Sequence, residues 1–67
     1  MDEIKNEIYT LMLSEPIEAT NQEGLAFKLY KRLDITLDDA LKAVRDMAFD
    51  GILYQSEADG FTTYRVR

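Results

Sequence analysis

Residues 36–66 read TLDDALKAVRDMAFDGILYQSEADGFTTYRV, and the fold turns on how this stretch is parsed. Thr36 can accept a hydrogen bond from an amide of a first helical turn, and Asp39, three residues on, comes close to a capping-box pattern. Asp38 and Asp39 put negative charge at the positive end of the helix dipole. Leu37, Ala40, Leu41, Val44, Met47 and Ala48 recur at helical spacing and make one apolar stripe. Gly51, free to take a positive φ, is the expected stop. Beyond it the pattern changes. Ile52–Ser56 and Phe61–Val66 are β-branched and aromatic, and Asp59-Gly60 between them suits a two-residue type I′ turn. Such a turn sets Leu53 opposite Val66 and Gln55 opposite Tyr64, so two apolar groups share the face a half-buried hairpin needs.

Upstream, residues 2–13 read as a helix with Ile4, Ile8, Leu11 and Met12 on one face, Tyr9 and Leu13 at its margin, and Asp2 and Glu3 at its positive end. Pro16 ends it, because the residue before a proline is pushed out of the α region. Ile17–Ala19 is a short extended segment. Thr20-Asn21-Gln22-Glu23 reads as a capping box with Thr20 as the cap, and it starts a second helix. Leu25, Ala26, Leu29, Tyr30 and Leu33 form the apolar face of that helix. Lys28, Lys31 and Arg32 lie on the other side, with Phe27 among them. Asp34-Ile35 is a very short connection, with Ile35 filling the space between the two helices. The expected fold is α+β, one domain over residues 1–67, in the order α-β-α-α-β-β.

Two helices joined by so short a turn and followed by a hairpin resemble a winged helix-turn-helix domain. The tightest local match is Val44 to Leu53, VRDMAFDGIL, which is similar to the V-x-x-L-x-x-x-G-L-I of MarR-like bacterial regulators, with Met47 in the leucine position. Gly60 and the Tyr64-Arg65-Val66 ending match the wing turn and closing strand. The resemblance covers roughly residues 4–66 and implies that Ile17–Ala19 adds a third strand to the wing sheet. It also implies that the outer face of the third helix enters a DNA major groove. MarR-like repressors are longer and carry added dimerisation helices, so their ligand site has no counterpart here.

Composition narrows the chemistry. The 67 residues include no cysteine and no histidine, which excludes disulfides, zinc sites built on those ligands, and thiol or imidazole catalysis. Ser14 and Ser56 have no evident activating base, and the carboxylates read as caps and solvated surface, so no enzyme, cofactor or metal is expected. Met1-Asp2-Glu3 is unlike the start of a signal peptide and no run approaches a membrane span, so a soluble cytoplasmic chain is expected. The net charge of −5 is unevenly spread. Up to Glu23 there are six acids and one base, Lys5; from Gly24 onward there are seven of each. The half that would face DNA is therefore neutral, whereas DNA-binding modules usually carry a basic footprint.

Two functional readings follow. In the first, the chain is a small DNA-binding transcriptional regulator: Lys42 and Arg45 on the third helix reach bases or phosphates, Lys28, Lys31 and Arg32 touch the backbone, and Arg65 and Arg67 do so from the wing. Asp38, Asp39 and Asp46 oppose it. In the second, the domain contacts a protein. Phe27 and Phe49 fall on polar faces, where aromatic side chains are typical contact anchors. The plain alternatives are a solvated mixed-charge helix face, and a Phe49 that folds onto the wing beside Tyr54 or Tyr64. A homodimer serves either reading, because so small a domain buries little surface alone.

Overall fold

A computed structural model describes residues 2–67, with side chains from residue 3 onward. It is α+β, with three helices and one three-stranded antiparallel sheet, and its order is winged-helix-like. Helix α1 spans Asp2–Ser14, strand β1 Ile17–Glu18, helix α2 Gln22–Leu33, helix α3 Leu37–Phe49, and strands β2 and β3 Leu53–Ala58 and Phe61–Val66. The dipole role expected of the Asp2 carboxylate lies outside the described side chains.

The chain punctuation is local chemistry. Thr36 caps α3 as expected, its hydroxyl accepting from the Asp39 amide at 3.1 Å. Helix α2 is capped differently from the expectation: the cap is Asn21, not Thr20. Asn21 is extended, its side-chain oxygen accepts from the Gly24 amide at 2.8 Å, and its carbonyl receives the first helical bond from Leu25. Asparagine is at least as good a cap as threonine, so the helix begins one residue later than a Thr20 cap would set it. Asp34 turns the chain left-handed at φ 56° to end α2. At the end of α3 the Gly51 amide donates to Ala48 at 3.1 Å and the Ile52 amide to Met47 at 3.0 Å, with Gly51 at φ 79°. That bond pair is a Schellman closure.

The hairpin has the register read from its turn. Leu53 pairs with Val66, Gln55 with Tyr64, and Ala58 with Phe61 across a turn in which Asp59 and Gly60 both have positive φ. Strand β2 runs two residues further toward the turn than Ser56 and starts at Leu53 rather than Ile52. Strand β1 pairs with β3, Ile17 against Tyr64, which makes β3 the central strand.

Every element contributes to one core. Ile8, Met12, Ile17, Leu25, Ala26, Leu29, Ala40, Ala43, Val44, Met47, Leu53 and Tyr64 are buried, and among the described residues no polar or charged residue is buried with them. The α3 stripe is rotated from its expected position. Ala43, absent from the expected stripe, is fully buried, whereas Leu37 is 36% exposed. Leu37 is the first residue of the helix and overhangs the core, while Ala40 and Ala43 have no side-chain bulk to hold the neighbouring α2 away. Leu13 is 59% exposed and stands in solvent rather than at the core margin.

A domain this small has a few kcal/mol of stability to lose. Leu29→Ala, at a site with no exposure, should cost about 2–5 kcal/mol and leave most of the chain unfolded. Leu13→Ala should change stability by less than about 0.5 kcal/mol. Urea unfolding followed by far-UV circular dichroism measures both; equal losses would mean that the core is misassigned.

Candidate functional site

A groove of about 420 Å³ opens where the N-terminus of α2, the outer side of α3 and the inner face of the hairpin meet. Its walls carry Thr20, Asn21, Gln22 and Glu23 from the α2 start, Leu41, Val44 and Arg45 from α3, and Gln55 and Tyr64 from the sheet. Local structure explains each position. The Asn21 cap fixes the start of α2 at the rim, and Arg45 follows Val44, so it leaves the helix just beside the buried stripe. Gln55 and Tyr64 are cross-strand partners, hence on one face of the sheet. Tyr64 is 3% exposed, and burial, with Glu57 second, pushes its phenol above the ordinary value. Among the described residues no buried side-chain polar atom lacks a partner. Around the apolar Leu41 and Val44 the groove is lined by amide, hydroxyl and guanidinium groups, with Glu23 as its one carboxylate.

The outer face of α3 continues from this groove. Asp38, Lys42, Arg45, Asp46 and Phe49 are all exposed, as the helical wheel places them. Lys5 of α1 reaches Asp46 at 3.3 Å and offsets part of that acid's charge. Phe49 does not fold onto the wing. It is 92% exposed at the end of α3, one turn beyond Arg45.

The other expected bases are not gathered with Lys42 and Arg45. Arg32 makes two hydrogen bonds to the Glu15 carboxylate, at 3.2 and 2.8 Å, tying α2 to the end of α1. Lys28 donates to the main-chain carbonyl of Glu18 on β1. Lys31 stands over the Phe27 ring, 4.3 Å from its centroid, and Phe27 meets Tyr30 edge-on at 5.2 Å. Phe27 is 45% exposed and in contact with both neighbours. Arg65 pairs with Tyr54, and Arg67 lies over the Tyr54 ring at 5.0 Å. By strand alternation Tyr54 and Arg65 are on the sheet face opposite Gln55 and Tyr64. The sheet therefore separates the two wing arginines from Arg45. Tyr9, whose hydroxyl donates to the Arg67 carbonyl at 2.6 Å, holds the end of the sheet against α1. Of these partners only Phe27 with Tyr30 and Phe27 with Lys31 are close in sequence, at helical spacing, so only those pairs had a local signal.

Among the described residues no three acidic side chains converge to hold a metal ion, and no helix is long and apolar enough to cross a membrane. No family model, curated protein or solved structure matches the chain.

The Glu15–Arg32 contact has a definite pH signature. The hydrogen bond from Arg32, and then the guanidinium charge, hold the Glu15 carboxyl below its ordinary value. A carboxyl depressed by folding stabilises the fold above its unfolded value, and that contribution disappears as the pH falls through the folded value. Any stability gap between the native chain and Glu15→Gln should therefore be present at neutral pH and close on acidification below the carboxylate range. Urea titrations at the two pH values test this; a gap that widens in acid would contradict the assignment. Both side chains are solvent-exposed, so the gap should be small.

Proposed function

We propose that the chain is a winged helix-turn-helix module that binds double-stranded DNA, a small cytoplasmic transcriptional regulator whose contact surface is the outer face of α3 with the groove beside it. The observation that carries this reading is the convergence at one groove of Arg45 with the capped start of α2 and the polar side chains Thr20, Asn21, Gln22 and Gln55. Arginine, asparagine, glutamine, threonine and helix N-termini are the groups that hydrogen-bond phosphates and base edges. Lys42, one turn before Arg45, extends the same face. All of the chain's negative charge excess belongs to the segment ending at Glu23, and the Lys5–Asp46 pair offsets one acid on the contact face. Asp38 and Glu23 remain there, so the affinity expected is modest and strongly salt-dependent.

A second reading has its own observation. Phe49 is nearly fully exposed on this same face, and a solvated phenylalanine beside two bases fits a protein partner with an apolar recess and an acidic rim.

Fluorescence anisotropy with labelled duplex fragments in low salt separates the two. For a DNA reader, Lys42→Ala with Arg45→Ala should abolish sequence-specific binding. Affinity should fall steeply as salt rises. Arg65→Ala, on the far sheet face, should then have the smaller effect. No binding by the native chain at about 10 μM, an ordinary ceiling for non-specific affinity, would remove the DNA reading. For a protein partner, Phe49→Ala should cost more than the loss of either base.

A further inference from the structure

The two edges of the sheet are treated differently. The order β1-β3-β2 leaves β1 and β2 outermost. The β1 edge is only two residues long, and Lys28 already occupies the Glu18 carbonyl. The β2 edge is six residues long and lightly protected: LYQSEA has no proline and no lysine, its one charge is Glu57, and its pairing with β3 runs without a bulge.

Hydrogen-bond parity shows which groups this edge offers. A two-residue turn makes Ala58 and Phe61 the hydrogen-bonded closing pair, so Ser56–Thr63 and Tyr54–Arg65 are the next hydrogen-bonded pairs. The far end agrees, because the Arg67 amide donates to the Ile52 carbonyl at 2.9 Å. Leu53, Gln55 and Glu57 must then direct their amides and carbonyls away from β3. Among the described residues no backbone group bonds them from outside the sheet.

We propose that this edge pairs with the same edge of a second copy, antiparallel, about a two-fold axis at Gln55. In that register Gln55 faces Gln55 of the second copy, and Leu53 faces Glu57 of the second copy, twice over. All six outward backbone groups are used. Registers centred one residue to either side use only four. The side chains also favour a second copy. Glu57 is the single charge on the strand, and this axis sets it opposite Leu53 instead of its own image. The two Gln55 amides meet with a donor and an acceptor each. On the other sheet face Tyr54 falls beside Ser56 of the second copy. Because Gln55 shares its face with Tyr64, both Arg45 grooves open on the same side of a continuous six-stranded sheet. The pairing itself does not depend on what those grooves bind.

Such an interface is small and the dimer weak, so it is read by sedimentation equilibrium up to high micromolar protein. The native chain should show a concentration-dependent monomer–dimer equilibrium. Gln55→Pro removes an outward amide and none of the bonds to β3, so it should weaken association about tenfold or more with an unchanged far-UV spectrum. Gln55→Lys, which keeps the backbone intact, puts like charges on the axis. It should also disfavour the dimer, and high salt should restore it. The lysine variant carries the test if the proline variant fails to fold. A native chain that stays monomeric, or a dimer that folded Gln55→Pro and Gln55→Lys leave intact, overturns the proposal.

Discussion

The closure at Gly51 is the constraint on which the rest of the molecule depends. Two main-chain bonds, Gly51 to Ala48 and Ile52 to Met47, end α3 and reverse the chain within two residues. Leu53 then comes down beside the helix that has just ended and joins its buried stripe in the core. Everything after Leu53 follows from its place. The type I′ turn returns β3 beside β2, Tyr64 is carried back over the core, and β1 finds a strand to pair with. A positive φ of 79° at Gly51 is low in cost for glycine and costly for most residues with a Cβ.

Among the described residues the core this builds is aliphatic apart from the Tyr64 phenol, and the side-chain hydrogen bonds and ion pairs lie around it. Several of them are ties between elements. Arg32 holds Glu15, Lys28 holds the β1 carbonyl, and Tyr9 holds the end of the sheet. These ties limit what the chain has left for recognition. Three bases that look available in a charge count are engaged: Arg32 by a carboxylate, Lys28 by a carbonyl and Lys31 by an aromatic ring. Lys42 and Arg45 are left exposed on the outer face of α3, Arg45 at the groove and one turn before a solvated Phe49. That surface is mixed in charge and mixed in polarity.

The asymmetry of the sheet follows from the same economy. One edge is short and covered by a lysine that also reinforces the packing of α2. The other is six residues long and regular, and its residues beyond Leu53 are exposed.

The sequence alone determined the elements and their junctions. A cap hydroxyl acts three residues away, a glycine stop acts within one turn, and an Asp-Gly turn fixes the hairpin register from two residues, so each is written in neighbouring letters. The exchange of Thr20 for Asn21 as cap shows the limit of that legibility, since both residues have the right chemistry and one residue of backbone geometry chooses between them. What only the tertiary structure decided is which side chains meet across long stretches of chain. Arg32 and Glu15 are 17 residues apart, Tyr9 and Arg67 are 58 apart, and Ile17 pairs with Tyr64. No period or motif encodes those contacts, because they arise when a shared core brings separate elements together. They are also what divides a row of seven bases into engaged residues, wing residues and the two that face the groove side of α3.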